Sequence, residues 1–410
     1  MWATNGEQGA TVMAMIETAG MDGTAEATWR ALVTQVADGR GPWRLPGETL
    51  TCPEQLVALA ARSRLSEDEA VALRTLGEEL SEPEWGMVRA LADDGYLTSL
   101  VYAQVAAVGL LPTLPPTIHA AFSDHYRASL LANLRIRTAT ERLLDQLDAA
   151  GIAVVPLKGV VLAERVYGNI AWRYIRDIDL LARQEDVRRV SALLQASGYL
   201  AEDKHGHAHA FGAITGAETK YERSDAPMIE LHWGLSKRPS YRLGLAFKDV
   251  WARTVSATWR GRSIRLLSFN DELRFLAIHC TADHRVSQLN WLVDIAELLR
   301  NAPADWRWHD FVAETIAAGQ ATPVGLALAQ CRAALGLAVP ADALTELLRA
   351  ARSPRERAAW LSCWADYLSR RWIAAHLREI PSWKDRARFT CGTLGRLTLR
   401  TVYKRALTYP

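Results

Sequence analysis

Asp177-Ile178-Asp179-Leu180-Leu181 is the stretch on which the reading of this chain turns. Successive side chains of a strand point to opposite faces, so as a strand it projects both carboxylates from one face and turns Ile178 into a core. Upstream, Ile152-Ala153-Val154-Val155-Pro156-Leu157 follows Gly151 as a short β-branched apolar run and reads as a buried strand that Lys158-Gly159 ends. Residues 160–167 return to helical spacing, and a second helix is expected over residues 184–196, closed by Gly198. Further candidate strands are 205–214, 219–222, 228–233 and 262–267.

Both flanks of this region carry helical patterns. Ser66-Glu67-Asp68-Glu69 and Ser81-Glu82-Pro83-Glu84 are placed like helix starts, and a long helix is expected over residues 116–149 after the break at Leu110-Leu111-Pro112-Thr113-Leu114-Pro115-Pro116. Beyond the core, Ser268 with Asp271 three residues later opens another helical region in which no strand signal follows. The expected fold class is α+β: a core with a small mixed β-sheet at residues 116–267, a helical N-terminal region at 1–115 and a C-terminal helical domain at 268–410.

Composition narrows the function classes. The 410 residues, 49% hydrophobic and 23% charged, resemble those of ordinary globular proteins, with enough chain for two or three domains. A net charge of +2 announces neither a nucleic-acid nor a membrane partner. The tail over residues 370–410 is locally basic and interleaved with aromatic residues, a pattern that suits a solvated basic helix better than a nucleic-acid contact. Five widely spaced cysteines without a C-x-x-C pair read as free thiols in a reducing compartment. The first residues lack the basic-then-apolar order of a signal peptide, and the apolar stretch 97–111 is too short to span a bilayer, so a cytoplasmic protein with a buried helix there is expected.

Asp177 and Asp179 would repel one another unless a cation or a basic group lies close by. Mg²⁺ takes oxygen ligands and commonly keeps waters and substrate phosphates, which suits paired carboxylates on a rigid strand. A D-x-D alone is a weak signal. Its company is specific: Val154-Val155-Pro156-Leu157-Lys158-Gly159-Val160-Val161-Leu162, Tyr167-Gly168, Arg173, the two acids, and Ser197-Gly198-Tyr199 occur in order. This order resembles the uncharacterised nucleotidyltransferase family of bacteria, within the polymerase β-like nucleotidyltransferase superfamily.

The resemblance covers roughly residues 116–299 and implies a nucleotidyltransferase core with an NTP as substrate. Mg²⁺ or Mn²⁺ would be held by Asp177, Asp179 and Glu230, the last on Ile229-Glu230-Leu231-His232-Trp233. His279, His284, Leu289, Trp291, Asp294, Ile295 and Ala296 look like the family's helical segment after the core. The expected reaction moves a nucleoside monophosphate to a hydroxyl-bearing acceptor, a peptide natural product or a sugar, and releases pyrophosphate. One departure stands out. Where most of the superfamily has Gly-Ser or Gly-Gly at the first strand-to-helix turn, this chain has Lys158-Gly159, a lysine that could reach phosphates and a glycine that allows close backbone approach.

Several of these residues admit more than one role. Arg173 could clamp a phosphate, pair with Asp177, or make a structural salt bridge. His232 suits a general base, an acceptor contact or a packed histidine beside Trp233. His205, His207 and His209 are read as lining a pocket or facing solvent rather than as a zinc site. His279, His284 and Asp294 are expected as buried partners of one another. The rival functions are a nucleotide-binding scaffold without catalysis and a phosphotransferase that uses the γ-phosphate.

Overall fold

The computed structural model describes residues 50–202, 218–236, 247–283 and 288–350. These divide into two compact units. The first holds the described residues up to Thr138, Lys158–Ile175 and those of Glu272–Ala350; the second holds Ala139–Leu157 and those of Arg176–Asp271.

In the first unit, helices α1 (Cys52–Ala60), α2 (Glu67–Glu79), α3 (Glu82–Asp94) and α4 (Thr98–Ala107) pack on one another. Reciprocal side-chain and backbone bonds of Thr51 with Glu54 and of Ser66 with Glu69 start α1 and α2. Ser81 donates its N–H and hydroxyl to Glu84 at the start of α3. Each device satisfies backbone N–H groups that a helix leaves without a partner in its first turn. The apolar residues Leu56, Leu73, Trp85, Val88, Leu100 and Val101 form the interior, and the stretch expected as a buried helix is α4. Gly77 meets Leu110 so closely that a Cβ would lie 2.4 Å from Leu110 Cδ1.

The long helix α5 (Pro116–Ala149) comes next; its last residues, from Ala139, belong to the second unit. The first unit also contains the short helix α6 (Gly159–Leu162), continued by a wider turn over Ala163–Tyr167 that Gly168 ends at φ 75°. That conformation costs an L side chain about 1–2 kcal/mol and suits glycine.

The second unit is built on a five-stranded sheet in the order β1-β2-β5-β4-β3. Its strands are β1 (Val154–Pro156), β2 (Asp177–Ala182), β3 (Leu200–Ala201), β4 (Glu218–Arg223) and β5 (Ala226–His232). β2 and β5 run parallel, and the other neighbours run antiparallel. Helix α7 (Val187–Ala196), entered three residues later than its apolar spacing suggests, buries Val190 and Leu194. Helix α8 (Phe247–Ala252) leads to a hairpin of β6 (Val255–Trp259) and β7 (Arg262–Leu266), with β7 against β1. Its turn has Arg260 at φ 50° and Gly261 at φ 78°, the two positive values that tight hairpins favour. Arg260 and Arg262 bind Glu141 and Asp145 at the end of α5.

β6 escapes the sequence pattern because most of its side chains are exposed. β3 escapes it because it has two residues, with Leu200 75% exposed. The candidate strand over residues 205–214, and with it His205, His207 and His209, lies outside the described residues, as does His284.

The rest of the first unit is helical: the Glu272–Ile278 part of α9 (Phe269–Ile278), then α10 (Leu289–Arg300), α11 (Trp308–Ala317), α12 (Ala321–Leu335) and α13 (Ala341–Arg349). The expected start of α9 is present: Asp271 N–H donates to the Ser268 hydroxyl, which in turn donates to the Asp271 carboxylate. Among the described residues no helix is long and apolar enough to cross a membrane.

Candidate metal centre

Parallel pairing of β2 with β5 sets Asp179 opposite Glu230, and the two-residue period of β5 returns His232 to the same face. Antiparallel pairing of β5 with β4 then sets Lys220 opposite Glu230 and Glu218 opposite His232. Ile178, Leu180, Ile229, Leu231 and Tyr221 occupy the other face and are almost fully buried. One alternation therefore anchors the strands in a core and aligns acids from adjacent strands.

The cluster at the centre of that face is Asp179, Glu230 and His232, each offering a ligand atom within 4.8 Å of the others. His232 Nε2 lies 3.0 Å from Asp179 Oδ1 and 3.7 Å from Glu230 Oε2, while Nδ1 lies 3.4 Å from Glu218 Oε2. Whichever ring nitrogen carries a proton meets a carboxylate. Lys220 Nζ lies 2.5 Å from Glu230 Oε1. Two buried carboxylates and an imidazole form a donor set that could hold a divalent cation. Asp177 sits two residues before Asp179 on the same strand face, is partly exposed, and lies outside this three-residue cluster.

Lys158, Gly159, Arg173, His279 and Asp294, also singled out in the sequence, belong to the first unit. Gly159 adopts φ 61° at the start of α6, a value that L side chains adopt only with strain. Lys158 Nζ is 3.4 Å from His279 Nε2 and sits 5.7 Å from the centre of the Phe275 ring. His279 in turn meets the Trp291 ring edge-on. Arg173 grips Asp294 with two bonds, Nε to Oδ1 at 2.8 Å and Nη2 to Oδ2 at 2.7 Å.

Tyr167 donates to the same Asp294 carboxylate at 2.7 Å. Burial, and then the Asp294 charge, push the Tyr167 phenol well above its usual range. Asn133 ties this cluster to the backbone by donating to the carbonyls of Ile170 and Arg173. Asp294 was expected as a partner of His279, and the described residues give its carboxylate to Arg173 and Tyr167 instead, whose donors match both of its oxygens; His284 lies outside the described residues.

Reading the sequence alone missed Lys220 and Glu218. Their signal was present in Glu218-Thr219-Lys220-Tyr221-Glu222, where charged residues alternate with Thr219 and Tyr221, but only the register shows that this charged face lies beside Glu230 and His232. No curated protein and no solved structure matches the chain. The model of a family described as uncharacterised nucleotidyltransferase matches residues 81–336, more than half of the chain. Its match spans the acid-bearing strands, the Lys158-Gly159 turn and the Arg173–Asp294 pair, and the chain belongs to this nucleotidyltransferase family of transferases of phosphorus-containing groups.

Proposed function

We propose that the chain transfers a nucleoside monophosphate from an NTP to a hydroxyl-bearing acceptor, a peptide or a sugar, and releases pyrophosphate. The observation that carries this reading is the meeting of Asp179 and Glu230 on adjacent parallel strands, in a chain whose family transfers nucleotidyl groups. Asp179 and Glu230 hold Mg²⁺ or Mn²⁺, and Asp177 joins them from the same strand face. When bound, the cation supplies charge neutralisation at the phosphates.

The acceptor oxygen forms its bond to the α-phosphorus as the bond from that phosphorus to the bridging oxygen breaks, and the pyrophosphate leaves with the bonding pair. His232, held among Asp179, Glu230 and Glu218, takes the proton of the acceptor hydroxyl. Lys158 and Gly159 are proposed as nucleotide-binding residues from the order of motifs along the chain. Arg173 is proposed with them, and its double bond pattern with Asp294 favours a positioning role for it.

The test is label transfer from NTPs carrying the label at the α or the γ phosphate, with Mg²⁺ or Mn²⁺ and a lysate of the native host as acceptor source. Transfer of the α label alone is expected. Transfer of the γ label alone identifies a phosphotransferase. Transfer of neither, together with cation-dependent nucleotide binding, identifies a binding scaffold, and either result overturns the reading.

A further inference from the structure

The acid face of the sheet carries a cation of its own. Asp177, Asp179, Glu230 and Glu218 occupy neighbouring register positions on β2, β5 and β4, and Lys220 stands among them directly across from Glu230. Its ammonium lies 2.5 Å from Glu230 Oε1, with the lysine side chain 33% exposed and the glutamate side chain 10% exposed. A lysine is a compact, strongly hydrated charge on a flexible four-carbon stem, so its head can exchange one anion for another without moving its strand.

We propose that Lys220 is the internal counter-cation of this centre: it neutralises Glu230 while no metal is bound, yields that carboxylate to the divalent cation, and then holds a phosphate of the NTP. The inference rests on the metal-centre reading above and adds a residue to it. The ammonium and a divalent cation compete for one carboxylate, because Glu230 Oε1 at this distance gives its charge to Lys220. Once the cation takes that oxygen, the released ammonium faces the same surface as the acids. A nucleoside triphosphate brings to it an excess of negative oxygens that a lysine binds as a point charge.

A purely structural Lys220 would be one cross-strand ion pair between β4 and β5, and its removal would loosen the sheet. The two roles separate by the sign of the change in metal affinity. Full-length protein, Lys220→Met and Lys220→Arg are titrated with Mn²⁺ alone, followed by electron paramagnetic resonance. They are then titrated with an α,β-methylene NTP analogue at saturating Mn²⁺. The apolar variant is expected to bind Mn²⁺ alone about tenfold more tightly, and the analogue about tenfold more weakly, the scale of one charge-assisted bond.

Lys220→Arg keeps the charge and is expected to stay within about threefold of the native protein in both titrations. Unchanged or weaker Mn²⁺ binding by Lys220→Met overturns the counter-cation role, and unchanged analogue binding overturns the phosphate role. Should Lys220→Met fail to fold, Lys220→Arg carries the test: a tenfold loss of analogue affinity with its charge intact would overturn the proposal. Absence of any Mn²⁺ binding by the native protein would instead overturn the metal-centre reading on which it rests.

Discussion

Two buried polar clusters in this molecule balance their charges differently. Around Arg173 the charges are matched: both oxygens of Asp294 accept from the guanidinium, Tyr167 adds a third donor, and Asn133 donates to the backbone carbonyls of Ile170 and Arg173. Around Glu230 like charges gather instead: the carboxylates of Asp177, Asp179, Glu218 and Glu230 share one sheet face with Lys220 and His232. A matched cluster suits a structural role, because each buried charge has a partner of matched geometry. A gathering of carboxylates on one face is what a divalent cation can bind. Burial alone does not separate the two, for Asp179 and Asp294 are both almost fully covered.

Asp179→Asn and Asp294→Asn test the comparison most directly. Asp179→Asn is expected to lower label transfer by on the order of 10³-fold, the scale of losing a principal electrostatic contact at a reacting centre. Its melting temperature without metal should stay within about 3 °C of the native value. Retained activity, or a collapse of the fold, would break the assignment.

Asp294→Asn should do the reverse. It leaves the Arg173 guanidinium buried without its counter-ion and is expected to cost about 3–5 kcal/mol in urea unfolding, with Mn²⁺ affinity retained in the folded fraction. Loss of Mn²⁺ binding at full stability would invert the roles of the two clusters.

A smaller effect is expected from Tyr167→Phe, which removes a buried hydroxyl donated to a charged carboxylate. Its cost should be about 1.5–3 kcal/mol. The same residue shapes the alkaline limb of stability. Its phenol holds its proton more tightly in the folded chain than in the unfolded one, so only the unfolded chain loses that proton as the pH first passes about 10. Stability is therefore full below that pH and falls as the pH climbs through the folded value. Thermal melts between pH 9 and 11 should show this fall and a shallower one in Tyr167→Phe, and parallel curves would place the alkaline loss elsewhere.

Much of the core was legible because it depends on local periodicity. The alternation of Asp177, Ile178 and Asp179 specifies a strand with two acids on one face, and residues 228–233 read as a strand by the same period, while Glu230 as the third acid followed from the family resemblance. Helix starts at Ser66, Ser81 and Ser268 are likewise local, since a capping bond joins residues three apart. Lys158-Gly159 marks the end of β1 for the same reason, since the positive φ of Gly159 is a property of one residue.

What only the tertiary structure decided are the pairings between distant segments. That Arg173 binds Asp294, that Lys220 stands across from Glu230, and that β2 meets β5 in the register setting Asp179 beside Glu230 are non-local facts. The grouping of Lys158–Ile175 with helices far along the chain is another. In each case the sequence specifies which faces are apolar or charged, and so which surfaces need partners. The choice among the available partners comes from packing the whole chain at once, where a one-residue change of register would carry Glu230 and His232 to the opposite face.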